Sequence, residues 1–146
     1  MNQQRYWDDV IEGDEIEPER FPLSVARLVL AVGANRDFNA IHYNTEVAQA
    51  SGAPEMYANN FFLQGMWEKA IRRYIGLAGV IRKLSGFQMK SFNTAGDTVV
   101  VRGRVLRKWL ETDQGYVEFE VWSENANGVS VGPGRIIAVM PRLTAR

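Results

Sequence analysis

Hydrophobic positions in this chain change their period near its middle. In the first half they recur every three and four residues. Val25, Leu28, Val29 and Val32 follow the i, i+3, i+4, i+7 spacing of one buried helical stripe. Ser24 stands just before them, and its hydroxyl can accept a bond from an otherwise unpaired backbone N–H. A helix is therefore expected to start there and to end near Gly33. A short helix is predicted over 45–51, capped by Asn44 or Thr45 and stopped by Gly52, with a turn at Ala53-Pro54. A long helix is predicted from Asn59 or Asn60 to about Tyr74. Phe61, Phe62, Leu63, Met66 and Trp67 crowd its first half, which is expected to be buried on nearly all sides. Arg72 and Arg73 suit the negative end of its dipole.

From Ile81 onward the period is two. Val99, Val101, Val105 and Trp109 alternate with Arg102, Arg104 and Lys108, and Val117, Phe119 and Val121 alternate with Glu118 and Glu120. A third strand is predicted over 129–140, with a bulge at Gly132-Pro133-Gly134, where proline cannot donate to a ladder. A fourth is predicted over 88–92. Ala95-Gly96-Asp97, Asp113-Gln114-Gly115 and Asn127-Gly128 read as hairpin-type turns. A meander of long antiparallel strands has one apolar face that needs a cover, and the long helix is the only element large enough to supply it. The predicted fold is α+β: a curved antiparallel sheet around one long central helix, as one domain over 1–146. Residues 6–22 read as an irregular segment anchored by Tyr6 and Trp7, with Glu12–Glu19 as a solvated acidic face.

Composition narrows the function classes. The 146 residues are 46% hydrophobic and 23% charged, with zero formal net charge, as expected of a folded globular chain. No basic block is interleaved with aromatic residues, so nucleic acid is not an expected partner. The absence of cysteine excludes disulfides, a thiolate nucleophile and Cys-based metal sites. A single histidine argues against zinc, whose sites need three or four ligands, mostly His or Cys. The chain has no apolar signal region and no run near the ~18 apolar residues of a membrane span, so a cytoplasmic location is expected.

That histidine, His42, lies five residues after Asp37 within Asn35–Asn44, on the loop beyond the first helix. Histidine is the side chain whose ordinary pKa lies nearest neutrality, and a carboxylate beside it can orient and tune it. Five residues is a poor spacing for meeting on one helix face, but a curved loop can bring the two groups together. The plainer alternative is a hydrogen-bonded core or surface histidine with no chemistry. Asn39 reads equally as the residue that fixes the loop's geometry or as a simple turn former.

Loop, helix and meander in this order resemble the hot-dog fold, and more narrowly the MaoC-like acyl-CoA dehydratases and (R)-specific enoyl-CoA hydratases. The segment Trp7-Asp8-Asp9-Val10-Ile11-Glu12-Gly13-Asp14-Glu15-Ile16 is similar to their N-terminal segment. Their signature Asp-x-Asn-Pro-x-His is matched by Asp37-Phe38-Asn39-Ala40-Ile41-His42, with alanine for proline. Gly128, Gly132 and Pro141 match their closing strand. Where the family opens its helix with Ala-His-Gly-Met, this chain has Ala58-Asn59-Asn60-Phe61. The segment Arg36–His42, with Asn59, is most similar to the small subunits of steroid side-chain breakdown, which work beside a second, larger MaoC-like chain.

The resemblance implies reversible hydration of 2-enoyl-CoA. Asp37 and His42 would be the catalytic pair, and Asn39, Asn59, Asn60 and Phe61 would serve the oxyanion and substrate. The thioester carbonyl oxygen would be received by backbone N–H groups at the helix start, which any side chain there allows. It implies no cofactor beyond the CoA thioester substrate and no metal. As partners it implies a homodimer or higher oligomer, or a hetero-oligomer with a second MaoC-like chain. Two alternatives remain at this level. One is a hot-dog thioesterase, for which Glu68 is the only acid within the long helix. The other is a non-catalytic subunit completing a partner's acyl groove, which the Asn59-Asn60 helix start favours.

Overall fold

Three long strands, built from the alternating segments of the second half, form the middle of one antiparallel sheet. The computed structural model describes residues 4–143. Its elements in order are β1 (Glu19–Pro22), α1 (Val25–Asn35), α2 (Thr45–Ala50), α3 (Asn60–Ile75), β2 (Val80–Ser85), β3 (Thr98–Glu111), β4 (Gln114–Asn125) and β5 (Gly128–Met140). The five strands lie in the order β1-β3-β4-β5-β2, with every neighbouring pair antiparallel. The inward positions Val99, Val101, Val105, Val117, Phe119, Val121, Ile136 and Ala138 are at most 1% exposed. They close on α3, which buries Leu63, Met66, Trp67, Ala70, Ile71, Tyr74 and Ile75. This is the expected curved sheet around one central helix.

The largest core side chain explains Gly132 and Gly134 of β5. The Trp67 indole donates from Nε1 to the hydroxyl of buried Ser123 at 2.8 Å, so its one polar atom is satisfied. A Cβ on Gly134 would lie 2.6 Å from the Ser85 carbonyl oxygen and 2.8 Å from the Trp67 ring. Between the pairs Val121–Gly134 and Ser123–Val131, β4 advances two residues and β5 three, so β5 carries the expected bulge at Gly132-Pro133. The strand thus bends where the ring needs room.

Several expectations are corrected. A second bulge lies in β3, where Val105–Phe119 is followed by Arg107–Glu118. The extra residue turns Trp109 off the core face, and it stacks on Tyr116 at 5.3 Å with Arg107 over its ring. Glu12–Glu19 is not a uniformly solvated face. Ile16 is core, and Glu19, 8% exposed, opens β1 and pairs with Lys69 at 2.9 Å. The strand expected over 88–92 is instead β2 at Val80–Ser85. Gln88–Phe92 keeps only one bridge, Met89 to Val131, beyond the positive-φ Gly86. The first half of α3 is not buried all round, since Phe61 is 63% exposed. Trp7 is an anchor as expected. Its N–H donates to Pro141 at 2.8 Å and its indole N–H to the Tyr116 carbonyl at 3.0 Å.

Candidate active site

Three segments meet at the N-terminus of α3: the end of α1, the loop 36–44 and the lead-in 55–59. Helix α1 runs two residues past Gly33 and is ended by Arg36, whose φ of 54° leaves the helical path. The Asp37 N–H then returns to the Val32 carbonyl at 3.2 Å, which starts the loop back along the helix. Asn39 Oδ1 accepts from the Ile41 N–H at 3.3 Å and starts a single 3₁₀ turn, Ala40–His42. Asn44 caps α2 in the same manner through the Val47 N–H at 3.1 Å.

This turn carries His42 inward, to 8% exposure. Its Nδ1 lies 2.8 Å from the carbonyl oxygen of Tyr57, and its ring meets the Tyr57 ring edge-on at 5.1 Å between centroids. Its Nε2 lies 3.3 Å from Asp37 Oδ2, whose side chain is about one-third exposed. The loop therefore brings together the two residues singled out by spacing. A carbonyl oxygen only accepts, so Nδ1 carries a proton. With the ring neutral, Nε2 offers a lone pair beside a carboxylate that also accepts, and a donor shared between the two fits there; with the ring protonated, Nε2 donates to Asp37 Oδ2 itself.

The Tyr57 carbonyl is held from behind. The Ala58 N–H donates to the Asn93 carbonyl at 2.9 Å, and the Met56 N–H donates to the Glu55 carboxylate at 2.8 Å. The Thr45 hydroxyl on α2 donates to the same Glu55 oxygen. These two donors, the hydroxyl first, hold the Glu55 carboxyl below its usual range. Tyr57 was not foreseen as a site residue. It acts through its backbone, so no side-chain signal marks it.

The other candidates sit around the same helix end. Asn59 is buried, and its Oδ1 accepts from the Phe62 N–H at 2.8 Å and from Asn35 Nδ2 at 3.2 Å. Asn60 and Phe61 begin α3, and their N–H groups, like those of any first helical turn, have no intrahelical acceptor. Both side chains are exposed. A cleft of about 500 Å³ runs between α1 and α3, lined by Leu30, Ala31, Phe61, Phe62 and Met66 among others. The Asn35–Asn59 bond ties the end of α1 to the start of α3, and Arg27 and Lys69 also line the cleft. Asp37 and His42 are not among its lining residues. Trp67 belongs to the core and not to this cleft. Among the described residues no three His, Cys, Asp or Glu side chains group as a metal site, and no helix is long and apolar enough to cross a membrane. Glu68 is exposed and bonds to Gln64 at 3.1 Å, as a solvated helix residue does.

Neither a family model nor a curated protein matches the sequence. Solved structures do match the fold. R-hydratase PhaJ1 from Pseudomonas aeruginosa superposes with a TM-score of 0.83 at 17% identity, covering 94% of this chain and 86% of that one. A chain of the ChsH1-ChsH2 complex from Mycobacterium tuberculosis gives 0.80 at 20% identity, covering 90% and 98%. The MaoC-like dehydratase from Rhodospirillum rubrum gives 0.78 at 17% identity, covering 96% and 99%. At such identities the likeness is one of architecture, and what it establishes is that this chain has the hot-dog fold found in R-hydratases and MaoC-like dehydratases.

Proposed function

We propose that this chain catalyses the reversible addition of water across the 2,3 double bond of 2-enoyl-CoA thioesters, giving 3-hydroxyacyl-CoA. The observation that carries this reading is the convergence of Asp37 Oδ2 and His42 Nε2, 3.3 Å apart, with the other ring nitrogen tied to Tyr57. With the ring neutral both atoms accept, and a water about 2.8 Å from each gives one proton to each. That is the arrangement needed to activate it. As its oxygen attacks C3, one of its protons passes to the pair, and a proton from the pair is delivered to C2. The hydroxyl and hydrogen added sum to the water consumed. Such acid–base help is worth roughly 10²–10⁴-fold for each transfer.

Charge develops on the thioester oxygen during attack. The first-turn N–H groups of α3, at Asn60 and Phe61, are free to receive it. Asn39 serves this reading as a loop-positioning residue, through its bond to the Ile41 N–H. The apolar walls of the α1–α3 cleft, Leu30, Ala31, Phe61, Phe62 and Met66, suit an acyl or pantetheine chain.

Assembly with a second hot-dog chain, identical or different, belongs to the same proposal. Leu30 and Phe61 are 72% and 63% exposed on the cleft, and the catalytic pair lies outside its walls, so a partner surface would complete the groove. The test is an assay of the purified protein on enoyl-CoAs from short-chain to steroid-sized, with product stereochemistry determined. Release of free thiol from saturated acyl-CoA, without hydration, would instead favour a thioesterase.

A further inference from the structure

The cleft between α1 and α3 has unlike ends. One end is tied: Asn35 Nδ2 donates to Asn59 Oδ1 at 3.2 Å, joining the last residue of α1 to the cap of α3. At the other end, two cations that line the cleft meet adjacent residues of β1. Arg27 donates from its guanidinium to the Pro22 carbonyl at 3.1 Å, and the Lys69 ammonium lies 5.1 Å from the centre of the Phe21 ring. Arg27 precedes Asn35 by eight residues and Lys69 follows Phe61 by eight, so each cation stands about 12 Å along its helix from the tied end. Between the two ends the walls are apolar, with Leu30, Ala31, Phe62 and Met66.

Charge decides what the far end can hold. No Asp or Glu is among the residues that line the cleft. Lys69 is already neutralised by Glu19, at 2.9 Å. Arg27 has no acidic partner among the described residues, and its one bond to Pro22 leaves most of its five N–H donors unused. The end therefore carries one uncompensated positive charge beside apolar walls. A phosphate monoester brings about −1.5 to −2 charges, and the phosphates of CoA together bring more. A single carboxylate matches, and the planar guanidinium suits its two oxygens. Arg27 is exposed, so the carboxylate reaches it without losing all its water.

We infer that the cleft selects acyl groups that end in an acid: the chain lies along the apolar walls, and its distal carboxylate pairs with the Arg27 guanidinium, beside the Lys69 ammonium. That the thioester lies at the Asn35 and Phe61 end rests on the hydratase reading; the preference for a distal acid does not. A cleft without the cation would choose the opposite way, because apolar walls favour a methyl end over one that must shed water.

The experiment compares wild type with Arg27→Gln on two substrates of equal length, 2-dodecenoyl-CoA and the mono-CoA thioester of 2-dodecenedioic acid. Arg27 is exposed in the first turn of α1, and its backbone N–H, not its side chain, meets the Ser24 cap, so the variant should fold. Wild type should favour the acid-ended thioester in kcat/KM by about fivefold, the scale of one exposed ion pair, and high salt should shrink that ratio. In Arg27→Gln the order should reverse. Calorimetric affinities of the saturated counterparts should show the same preference without turnover, and the pair made as pantetheine thioesters, which lack the phosphates of CoA, should keep it. A wild type that favours the methyl end, or a ratio unchanged in Arg27→Gln, would overturn the inference. So would an Arg27→Gln that weakens both CoA thioesters alike and neither pantetheine thioester, because the cation would then hold a CoA phosphate. A protein that binds the acid-ended thioester more tightly yet hydrates neither substrate would overturn the hydratase reading alone.

Discussion

Asp37 Oδ2 and His42 Nε2 stand 3.3 Å apart on a single loop, and the far side of the imidazole is fixed by the backbone carbonyl of Tyr57. The Tyr57 contact puts a proton on Nδ1, and in the neutral ring that leaves Nε2 as an acceptor facing the carboxylate. The histidine is therefore oriented by a segment remote in sequence, while its charge partner comes from its own loop. None of the three residues belongs to the hydrophobic core cluster.

The Asn39 cap should matter for geometry and little for global stability. Asn39→Ala removes the acceptor for the Ile41 N–H and loosens the turn that carries His42 inward. Loss of such a cap is worth about 1 kcal/mol. The expected outcome is a protein that unfolds at nearly the wild-type temperature, with kcat reduced severalfold and KM much less changed. An unaltered kcat would leave Asn39 as an ordinary turn residue.

Assembly is checked by light scattering. The exposed Leu30 and Phe61 beside an open cleft predict a particle larger than one chain, made of identical chains or formed with a second hot-dog chain. A monomer that is fully active alone would contradict this.

Much of the fold was legible in the alternation of Val99–Val105 and Val117–Val121, because a half-buried strand must place apolar residues on one face. The bulge at Gly132-Pro133 was legible too, since proline leaves the ladder. The edge strands were not. β1 is four residues long and ends in Pro22, and β2 has Arg82 and Lys83 in its middle and changes register there. β1 alternates in burial, but Glu19 holds one of its inward positions, and β2 buries no residue fully, so apolar residues mark neither strand. Trp109 misled because a bulge at Leu106, which no residue type announces, inverted the faces after it. Within the site, Asp37 and His42 stood out as side chains. Tyr57 and the Asn35–Asn59 bond did not, because one is a backbone atom and the other a contact between residues 24 apart.

The Gly134 position tests the packing account. Alanine there would place its Cβ 2.6 Å from the Ser85 carbonyl oxygen and 2.8 Å from the Trp67 ring. Neither neighbour is a flexible side-chain end, so overpacking should lower stability by about 1–3 kcal/mol in a denaturant titration. An unchanged midpoint would show that the sheet yields more easily than the contacts imply.

Tyr74 gives a pH signature. Its hydroxyl is buried without a hydrogen-bond partner. Burial pushes its pKa above 10.0, opposed by the Arg5 guanidinium, whose carbon lies 4.1 Å from the ring centroid. In the unfolded chain the phenol ionises first, so the folded state holds the proton longer. The stability from this group is whole below pH 10 and falls as pH rises through the folded value. Tyr74→Phe should leave stability at pH 7 unchanged or higher by up to about 1 kcal/mol, and should flatten the loss above pH 10 in thermal melts. A large destabilisation at pH 7 would mean that the hydroxyl has a partner.

The most direct measurement is the rate at which wild type, Asp37→Asn and His42→Ala convert a 2-enoyl-CoA to its 3-hydroxy product, followed as the conjugated thioester absorbance disappears. Wild type should hydrate the substrate. Each variant should remain folded, bind acyl-CoA and run at least about 10²-fold slower. Either variant working at the wild-type rate, or a folded wild type that binds the thioester and never hydrates it, would contradict the account.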